Sequence, residues 1–310
     1  MTSYTDLVIE HFRRPHNKGR HPNPNASAEG ANPLCGDRIR IECDVAGARV
    51  GSAMFTGDAC AICVASASLL SERVRGMSVR EIMTLPDDSV IDALQGAVPV
   101  ARRRCATLPL ETLRQSLTPF VAVSIARPVV LAAGAGRRFG GDKMLAEVDG
   151  IPLIRHAATA YAELCGQVTV VVSTDDRLRE ALVGLPVDIV VNPGADEGIA
   201  SSIRVAVGHS RSHPALMIAL GDEPRVDRGL VMQVMQLWHQ TRAPVVVPKY
   251  SGEPGHPVLF DEATYDDLLT LRGDRGAKSL IERYGAKVRT VEVGGSRPVD
   301  IDTTKDLERL

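Results

Sequence analysis

Long apolar runs and an excess of positive charge are missing from this sequence of 310 residues, and its first residues are not expected to form a secretory leader. No run approaches the roughly 18 apolar residues that a membrane-spanning helix needs, and the first fifteen residues carry acids and a histidine within their apolar pattern, unlike a signal peptide. A net charge of −2 argues against a generic nucleic-acid or membrane-surface binder, because such proteins normally carry a basic excess. The sequence therefore predicts a cytoplasmic protein with no nucleic-acid and no membrane partner.

Aromatic residues are also scarce, at 4% of the chain against 44% hydrophobic residues. A core built from Val, Ile, Leu and Ala suits parallel α/β layers, and the length is sufficient for two domains. Cysteines are few, but five of the six lie in the first 105 residues. In a cytosolic protein, clustered cysteines indicate metal or redox chemistry before disulfides.

The first part of the chain has the pattern of a small α+β domain over residues 1–118. A short amphipathic helix is followed by a polar stretch up to Asn32, predicted as loop. Alternating apolar and polar residues from Arg38 to Val45, a turn and then Val50–Phe55 predict an antiparallel hairpin. Helical patterns follow at residues 61–75, 79–85, 90–94 and 108–117. Residues 119–127 are predicted to be a linker.

The pattern changes beyond the linker, over residues 128–310. Strand-like runs at residues 128–133, 168–173, 187–191, 215–220 and 244–248 alternate with helical stretches. Such alternation predicts a doubly wound, Rossmann-like and mainly parallel sheet. Ligands bind at the carboxyl edge of such sheets, where the loop after the first strand lies.

Three short segments place cysteines where a loop meets a regular element. Cys35 lies in Asn-Pro-Leu-Cys-Gly-Asp, Cys60 and Cys63 lie at the predicted start of a helix, and Cys105 follows Arg102–Arg104. Helix N-termini and arginines both favour the thiolate form that metals and sulfur transfer require. Buried structural cysteine is the alternative, Cys63 is equally well explained as core, and the arginines as a solvated face.

The opening residues carry a further motif. It consists of Tyr4, Glu10-His11-Phe12, Pro15-His16-Asn17 and Gly19. With the cysteine segments, it makes essentially all of residues 4–117 resemble the U-type iron–sulfur cluster scaffold family, which comprises IscU, SufU and the N-terminal part of NifU.

This resemblance implies that Cys35, Cys60 and Cys105 are ligands of an iron–sulfur cluster or of Zn²⁺, that Asp37 tunes cluster stability, and that a cysteine desulfurase is a partner. Three cysteines leave one coordination position open, which suits a site that hands on its cargo. Arg104 stands where many members carry histidine, as in the SufU-like branch, but the segment before Cys105 looks too short for that branch's insertion. Cluster building, sulfur relay and zinc holding all remain open.

The stretch Val129–Leu145 has the composition of a phosphate loop but not the spacing of two common types. A P-loop fails because Asp142 separates Gly141 from Lys143, and a dinucleotide fingerprint fails because its third glycine comes one residue late, at Gly140. Lys143 is the only lysine between Lys18 and Lys249. The loop is therefore expected to bind phosphate by another arrangement.

Residues 127–310 resemble the MobA-like nucleotidyltransferase family, in its branch that acts on the molybdenum cofactor. The residues that carry the resemblance are Leu131, Ala132, Ala133, Gly134, Arg138, Phe139, Gly140, Lys143 and the run Ala219–Pro224. It implies nucleotide binding by Leu131, Ala132, Ala133, Gly134, Gly136, Lys143 and Asp222, with Lys143, Arg138 and Asp222 catalytic. Gly134 and Gly136 would let backbone N–H groups approach a triphosphate, while Arg138 and Lys143 would neutralise charge as pyrophosphate leaves.

Further residues receive roles from the same resemblance. Asp222 follows an apolar strand, where a hard carboxylate facing the phosphates would hold Mg²⁺, and Asp302 is a further metal-ligand candidate. His256 and Asp274 are candidates for the acceptor site. Ser201-Ser202, before a predicted helix, are read as ordinary N-caps.

The resemblance also implies a reaction. An alanine before Gly134, here Ala133, goes with cytidine nucleotides in relatives, which favours CTP. The expected enzyme transfers CMP from CTP to molybdopterin and releases pyrophosphate. Fusion to a scaffold domain suggests service to a recipient molybdenum hydroxylase apo-enzyme, since those enzymes need both cofactors. Alternatives are a carrier that binds nucleotide without turnover, or a transferase for another phosphorylated acceptor with structural zinc in its first domain.

Overall fold

The computed structural model describes residues 4–96, 98–134, 136, 139–295, 297–298, 301, 303 and 306–307. The chain divides into two compact units, Met1–Ser124 and Ile125–Leu310. Among the described residues, no helix combines the length and apolar character needed to cross a membrane.

The first unit is an α+β domain with an antiparallel sheet, as predicted. Its strands are β1 (Ala26–Asn32), β2 (Asp37–Ala46) and β3 (Arg49–Asp58), in the order β1-β2-β3. Its helices are α1 (Asp6–Arg13), α2 (Ala61–Arg73), α3 (Val79–Met83), α4 (Asp88–Asp92) and α5 (Arg103–Ile125). The apolar face of the sheet includes Ile39, Ile41 and Cys43, and all three are buried.

Strand β1 was predicted as loop, and that prediction is wrong. Its sequence, ASAEGAN, has low strand propensity because it is short of β-branched and aromatic residues. The strand forms because it pairs with β2 along its whole length, from Ala26 opposite Cys43 to Asn32 opposite Asp37. Gly30 on this strand lies close to α5: a Cβ atom at Gly30 would be 2.0 Å from Thr112 Oγ1.

Helix α5 is longer than the predicted segment 108–117. It begins at Arg103, so that Cys105 lies in its first turn, and it ends at Ile125 despite containing Pro109 and Pro119. Most of the stretch 119–127 is therefore helical. The role of that stretch as a linker stays a prediction.

The second unit is a doubly wound domain with a mainly parallel sheet, which confirms the predicted fold class. Its strands are β4 (Arg127–Ala132), β5 (Glu147–Val148), β6 (Ile151–Pro152), β7 (Val168–Val172), β8 (Val187–Val191), β9 (Ala215–Leu220), β10 (Val245–Tyr250), β11 (Glu253–Pro254), β12 (Val258–Asp261) and β13 (Arg289–Val293). Its helices are α6 (Leu153–Cys165), α7 (Asp176–Glu180), α8 (Ile199–Ser210), α9 (Arg228–Thr241), α10 (Tyr265–Leu269) and α11 (Lys278–Tyr284).

The sheet order is β11-β10-β12-β9-β4-β7-β8, with β13 also paired to β10. Strand β4 is parallel to both β7 and β9. Strand β12, which was not predicted, pairs antiparallel with both β9 and β10. The carboxyl ends of β4 and β9 are neighbours, and the N–H of Gly221 donates to the Leu131 carbonyl at 2.9 Å.

The Gly30→Ala substitution tests the packing of β1 on α5. We expect it to lower the free energy of unfolding by about 1–3 kcal/mol, because the new methyl group would overlap Thr112 Oγ1. The measurement is urea unfolding of the full chain followed by circular dichroism. In a Thr112→Ala background the cost should fall clearly, as expected for two residues in contact. An equal cost in both backgrounds would contradict this packing.

Candidate functional sites

The register of the first sheet brings two cysteine segments to the same end. The first residue of β2, Asp37, pairs with the last residue of β1, and Arg38 pairs with Asp58 at the end of β3. The turn that carries Cys35 and the residue Cys60, just beyond β3, therefore emerge side by side. Gly57 permits this approach, since a Cβ atom there would lie 2.2 Å from the Arg38 carbonyl oxygen.

The structure brings all four predicted ligands of the first unit together. The Sγ atoms of Cys35 and Cys105 are 3.4 Å apart, and the ligand atoms of Cys35, Asp37 and Cys105 all lie within 4.8 Å of one another. Cys60 is the N-cap residue of α2, and its N–H donates to Asp37 Oδ1 at 2.8 Å. Cys35 is exposed, Cys60 is half-buried and Cys105 is fully buried. We call this group the thiol centre.

Burial raises the pKa values of two acidic groups in the thiol centre, and hydrogen bonds oppose it at Asp37 but not at Cys105. Burial alone would raise the pKa of Asp37, but hydrogen bonding with the Cys35 thiol and the Cys60 N–H outweighs it and lowers that pKa. Burial, followed by the Asp37 carboxylate, raises the pKa of the Cys105 thiol to about 12. The centre thus holds the Asp37 carboxylate beside the Cys105 thiol, whose raised pKa keeps it protonated until a cation replaces the proton.

The three arginines before Cys105 differ in their surroundings. Arg102 interacts with the Cys105 sulfur, and this contact, followed by attraction to Cys60, raises the pKa of its guanidinium. Arg103 pairs with Asp88 at 2.5 Å, and Arg104 is exposed. Only Arg102 therefore adds positive charge directly at the sulfur atoms.

Two residues near the thiol centre differ in their relation to it: Cys63 is a core side chain, whereas Asn32 contacts a sulfur atom of the centre. Cys63 is fully buried on α2, and burial raises the pKa of its thiol, as expected for a core side chain. Asn32 was given no role from the sequence, yet its buried Nδ2 donates to Cys105 Sγ at 3.6 Å and its Oδ1 accepts from the Leu34 N–H. The signal for Asn32 was its position at the start of the Cys35 turn, where Asn commonly caps.

The thiol centre fits a soft metal ion or cluster. Its donors are thiol sulfurs and one carboxylate, and Asp37 Oδ2 is buried without a hydrogen bond. Two sulfur ligands of a tetrahedral Zn²⁺ lie about 3.8 Å apart, given Zn–S bonds of about 2.3 Å. The 3.4 Å separation of Cys35 and Cys105 needs little adjustment to reach that geometry.

The second site lies at the carboxyl ends of β4 and β9. The loop after β4 turns sharply at Gly136, which has φ +57°, and a Cβ atom there would lie 2.4 Å from the Gly141 carbonyl oxygen and 2.9 Å from Lys143 Cβ. Gly136 is thus required by the packing of the loop on itself. Gly134 is exposed and has open space around it, which suits the close approach of a ligand.

An ion pair joins this loop to the end of β9. Lys143 Nζ lies 2.5 Å from Asp222 Oδ2, and both side chains are largely buried, with 9% and 17% of their surfaces exposed. Gly221, just before Asp222, packs against Ala132 and Met144, and a Cβ atom there would be crowded, at 3.0 Å from Ala132 Cβ and 3.1 Å from Met144 Sδ. Removing either charge would leave the other buried and uncompensated, which is costly.

A cavity of about 340 Å³ opens beside this ion pair. Six predicted site residues line it: Leu131, Ala133, Gly134, Gly136, Asp222 and Asp274. Ala132 is buried and does not line the cavity. Arg138 and Asp302 lie outside the described residues, although the N–H of the neighbouring Ile301 donates to the Asp222 carbonyl at 3.4 Å.

Asp274 lies at the N-terminus of α8. The N-cap residue is Gly198, at φ +98°, and a Cβ atom there would lie 2.3 Å from Asp274 Oδ1. The prediction that Ser201-Ser202 act as N-caps is wrong, because the helix begins earlier. Their hydroxyl groups instead accept from the buried Asn192 amide at 2.8 and 3.0 Å. Neither Gly198 nor Asn192 was given a role from the sequence.

His256 lines an adjoining, mostly apolar cavity of about 300 Å³, and Asp274 and Leu131 border both cavities. His256 Nδ1 is 3.4 Å from Glu223 Oε1, and Arg297 Nη2 is 3.5 Å from the same oxygen. Glu223 follows Asp222 directly in the chain, so the residue that contacts His256 is adjacent to one that lines the first cavity. No local sequence pattern predicts this contact between distant segments.

The donors at the second site fit Mg²⁺. Asp222 Oδ1 is buried and accepts no hydrogen bond. Mg²⁺ takes oxygen ligands, commonly one or two carboxylates together with water and substrate phosphates. Asp222 therefore offers a hard oxygen donor at the edge of the cavity.

Two family models match the chain. One described as MobA-like NTP transferase domain matches residues 128–288, and one described as NifU-like N terminal domain matches residues 3–125. Both resemblances found in the sequence are therefore confirmed, and the chain is a fusion of these two domains.

Relatives of the first domain include the zinc-dependent sulfurtransferase SufU of Bacillus subtilis, which is 32% identical over 37% of this chain and 90% of its own. The iron-sulfur cluster assembly scaffold protein IscU 1 of Archaeoglobus fulgidus is 29% identical over 38% of this chain and 76% of its own. The names of these two relatives describe different functions, zinc-dependent sulfur transfer for one and cluster assembly for the other.

Relatives of the second domain include the molybdenum cofactor guanylyltransferase of Pseudomonas aeruginosa, which is 29% identical over 58% of this chain and 91% of its own. Among solved structures, the manganese complex of Rv0371c from Mycobacterium tuberculosis is 25% identical over 60% of this chain and 97% of its own, with a TM-score of 0.50.

The Gly198→Ala substitution tests whether the contact with Asp274 shapes the cavity. The backbone at Gly198 has φ +98°, which alanine rarely adopts, and the new methyl group would lie 2.3 Å from Asp274 Oδ1. Residues 273–274 must then move, so we expect nucleotide affinity to fall at least tenfold. Equilibrium binding of a fluorescent nucleotide with Mg²⁺ measures this. Gly208→Ala is the matched control, because Gly208 lies on the same helix with open space around it. Equal affinities in the two variants would contradict the assigned position of Asp274.

Proposed function

We propose, because the chain belongs to the MobA-like NTP transferase family, that its second domain transfers CMP from CTP to the phosphate of molybdopterin. The observation that carries this proposal is the Lys143–Asp222 pair beside a cavity at the carboxyl ends of β4 and β9. A phosphate oxygen of molybdopterin attacks the α-phosphorus of CTP, and the bond to the β-phosphate oxygen breaks. Pyrophosphate leaves and molybdopterin cytosine dinucleotide remains.

The chain's own residues orient and neutralise the phosphates. The N–H groups around Gly134 approach the triphosphate, and Lys143 neutralises the charge that grows as pyrophosphate departs. Arg138, by its place in the motif, adds a second positive charge. In the absence of nucleotide, Lys143 holds Asp222 in position through their 2.5 Å contact.

Asp222 would hold Mg²⁺ through its buried carboxylate, with Asp302 as a further ligand. Bound there, the ion would supply Lewis-acid charge to the phosphate oxygens. The manganese complex of Rv0371c from Mycobacterium tuberculosis supports a divalent ion for proteins of this fold.

Ala133 supports the choice of CTP. It lines the cavity wall with a methyl group where relatives specific for guanosine nucleotides carry glycine. The relative in Pseudomonas aeruginosa is named as a guanylyltransferase, so GTP is the competing nucleotide. His256 and Asp274 border the adjoining cavity and are proposed to bind the acceptor.

For the first domain, we propose that Cys35, Cys60, Cys105 and Asp37 hold an iron–sulfur cluster as cargo. The cluster would be assembled with sulfur from a cysteine desulfurase. Zinc-dependent sulfur transfer is the second candidate, and the similarity to the SufU of Bacillus subtilis favours it. Fusion to the transferase supports a joint role in the cytoplasmic maturation of a molybdenum hydroxylase, whose apo-enzyme would receive both cofactors.

Pyrophosphate release by the purified full chain tests the transferase. With Mg²⁺ and molybdopterin, we expect release with CTP and little with GTP or ATP. Asp222→Asn should reduce the rate on the order of 10²-fold or more, because the metal and Lys143 lose their carboxylate. Asp266→Asn is the control, since Asp266 forms only an exposed pair with Arg211.

Release with GTP alone would overturn the base assignment and retain the reaction class. Release only with another phosphorylated acceptor would overturn the assignment of molybdopterin as the acceptor substrate. No release with any nucleotide, while nucleotide still binds, would favour a domain that binds without turnover.

Metal content of protein isolated without oxygen tests the first domain. We expect iron and acid-labile sulfide in the wild type and their loss in Cys35→Ser, an exposed position where serine should not disturb folding. Cys63→Ala should retain both, because Cys63 is a core side chain. Zinc without sulfide in the wild type would instead overturn the cluster assignment and leave sulfur transfer and structural zinc as the alternatives.

A further inference from the structure

A second group of metal-ligating side chains lies in the first unit, away from the thiol centre. His11 lies on α1, His16 lies in the loop that follows α1, and Glu72 lies near the end of α2. One ligand atom from each lies within 4.8 Å of the other two. We call this group the His–His–Glu cluster.

The cluster is held by hydrogen bonds that fix both histidines to α2. The Ser68 hydroxyl oxygen accepts from the His16 backbone N–H at 2.8 Å and lies 2.8 Å from His11 Nδ1. The Asn17 side chain donates to the Ser71 hydroxyl at 3.1 Å. Because Ser68 engages Nδ1 of His11, the ring is oriented by a group outside the cluster, as metal-bound histidines commonly are.

The exposure of the cluster is uneven in a way that suits a metal ion. His11 is buried, whereas about half of the His16 and Glu72 side chains remains exposed, at 50% and 47%. His16 Nδ1 and Glu72 Oε1 are already 2.7 Å apart. One ligand is thus anchored in the core, and two ligands face the solvent from which an ion would arrive.

We propose that the His–His–Glu cluster binds a divalent transition-metal ion of the Zn²⁺ type. Two imidazoles and one carboxylate are a common protein donor set for Zn²⁺ and Fe²⁺, with the remaining positions open to water or another ligand. Cys60 and Glu72 are separated by 12 residues along α2, or about 18 Å at the helical rise. The cluster is therefore a separate site, and it depends on neither the thiol centre nor the transferase proposal.

Titration of the full chain with Co²⁺, under reducing conditions and in excess Mg²⁺, tests the proposal. Cobalt bound by nitrogen and oxygen gives weak visible bands, whereas cobalt at the thiol centre adds thiolate charge-transfer bands. In the Cys35→Ser protein we expect one equivalent of Co²⁺ to bind with the weak visible bands of nitrogen and oxygen ligands. His16→Gln and Glu72→Gln should each weaken that binding at least tenfold.

His21→Gln is the matched control, since His21 is a histidine of the same unit that contacts Ser52 instead of the cluster. It should leave the nitrogen–oxygen bands unchanged. As a second readout, Co²⁺ should raise the melting temperature of the wild type by linkage and have a clearly smaller effect on His16→Gln. The proposal is overturned if the wild type lacks the nitrogen–oxygen bands, or if either cluster variant retains wild-type affinity.

Discussion

The second domain depends on the buried attraction between Lys143 and Asp222. A largely buried charge is strongly destabilising unless an opposite charge lies beside it. The loop after β4 and the end of β9 must therefore meet for this pair to form. The parallel register of the two strands supplies the meeting point, and Gly221 removes the side chain that would separate them. The cavity, the free carboxylate oxygen and the adjoining residues of α8 are then arranged around a fixed pair of charges.

The first domain also contains a buried carboxylate, that of Asp37, but hydrogen bonds stabilise it in place of an ion pair. Asp37 lies among thiols and backbone N–H groups, without a lysine or arginine of its own in direct contact among the described residues, and its pKa is lowered despite burial. Arg102 compensates from the side of Cys105. The Asp37 carboxylate therefore places a negative charge beside the thiol groups, which favours the binding of a cation.

The sequence was most informative where residues able to bind a metal lie in turns or at the starts of helices. Cys35 lies in a turn, and Cys60 and Cys105 lie at the starts of helices, so the sequence singled them out, while their role as one ligand set was implied by the family resemblance. Gly198 could not be predicted, because it acts through the absence of a side chain, and Asn32 was marked only by its position at the start of the Cys35 turn. Neither carries a titratable group. Strand β1 was missed because its pairing with β2, and not its own residues, determines its conformation. The contact of Glu223 with His256 joins segments that no local pattern relates.

The exposure of the three cysteines differs from one corner of the thiol centre to the next: Cys35 is open, Cys60 is intermediate and Cys105 is sealed. If the three hold a shared cargo, an incoming thiolate from an acceptor would reach it most readily at Cys35, which is more exposed than Cys60 and Cys105. Release would then proceed by stepwise ligand exchange, with the Cys35 bond breaking first and the Cys105 bond last. Under that condition, the graded burial of three chemically identical ligands would give the release of the cargo a direction without a conformational change.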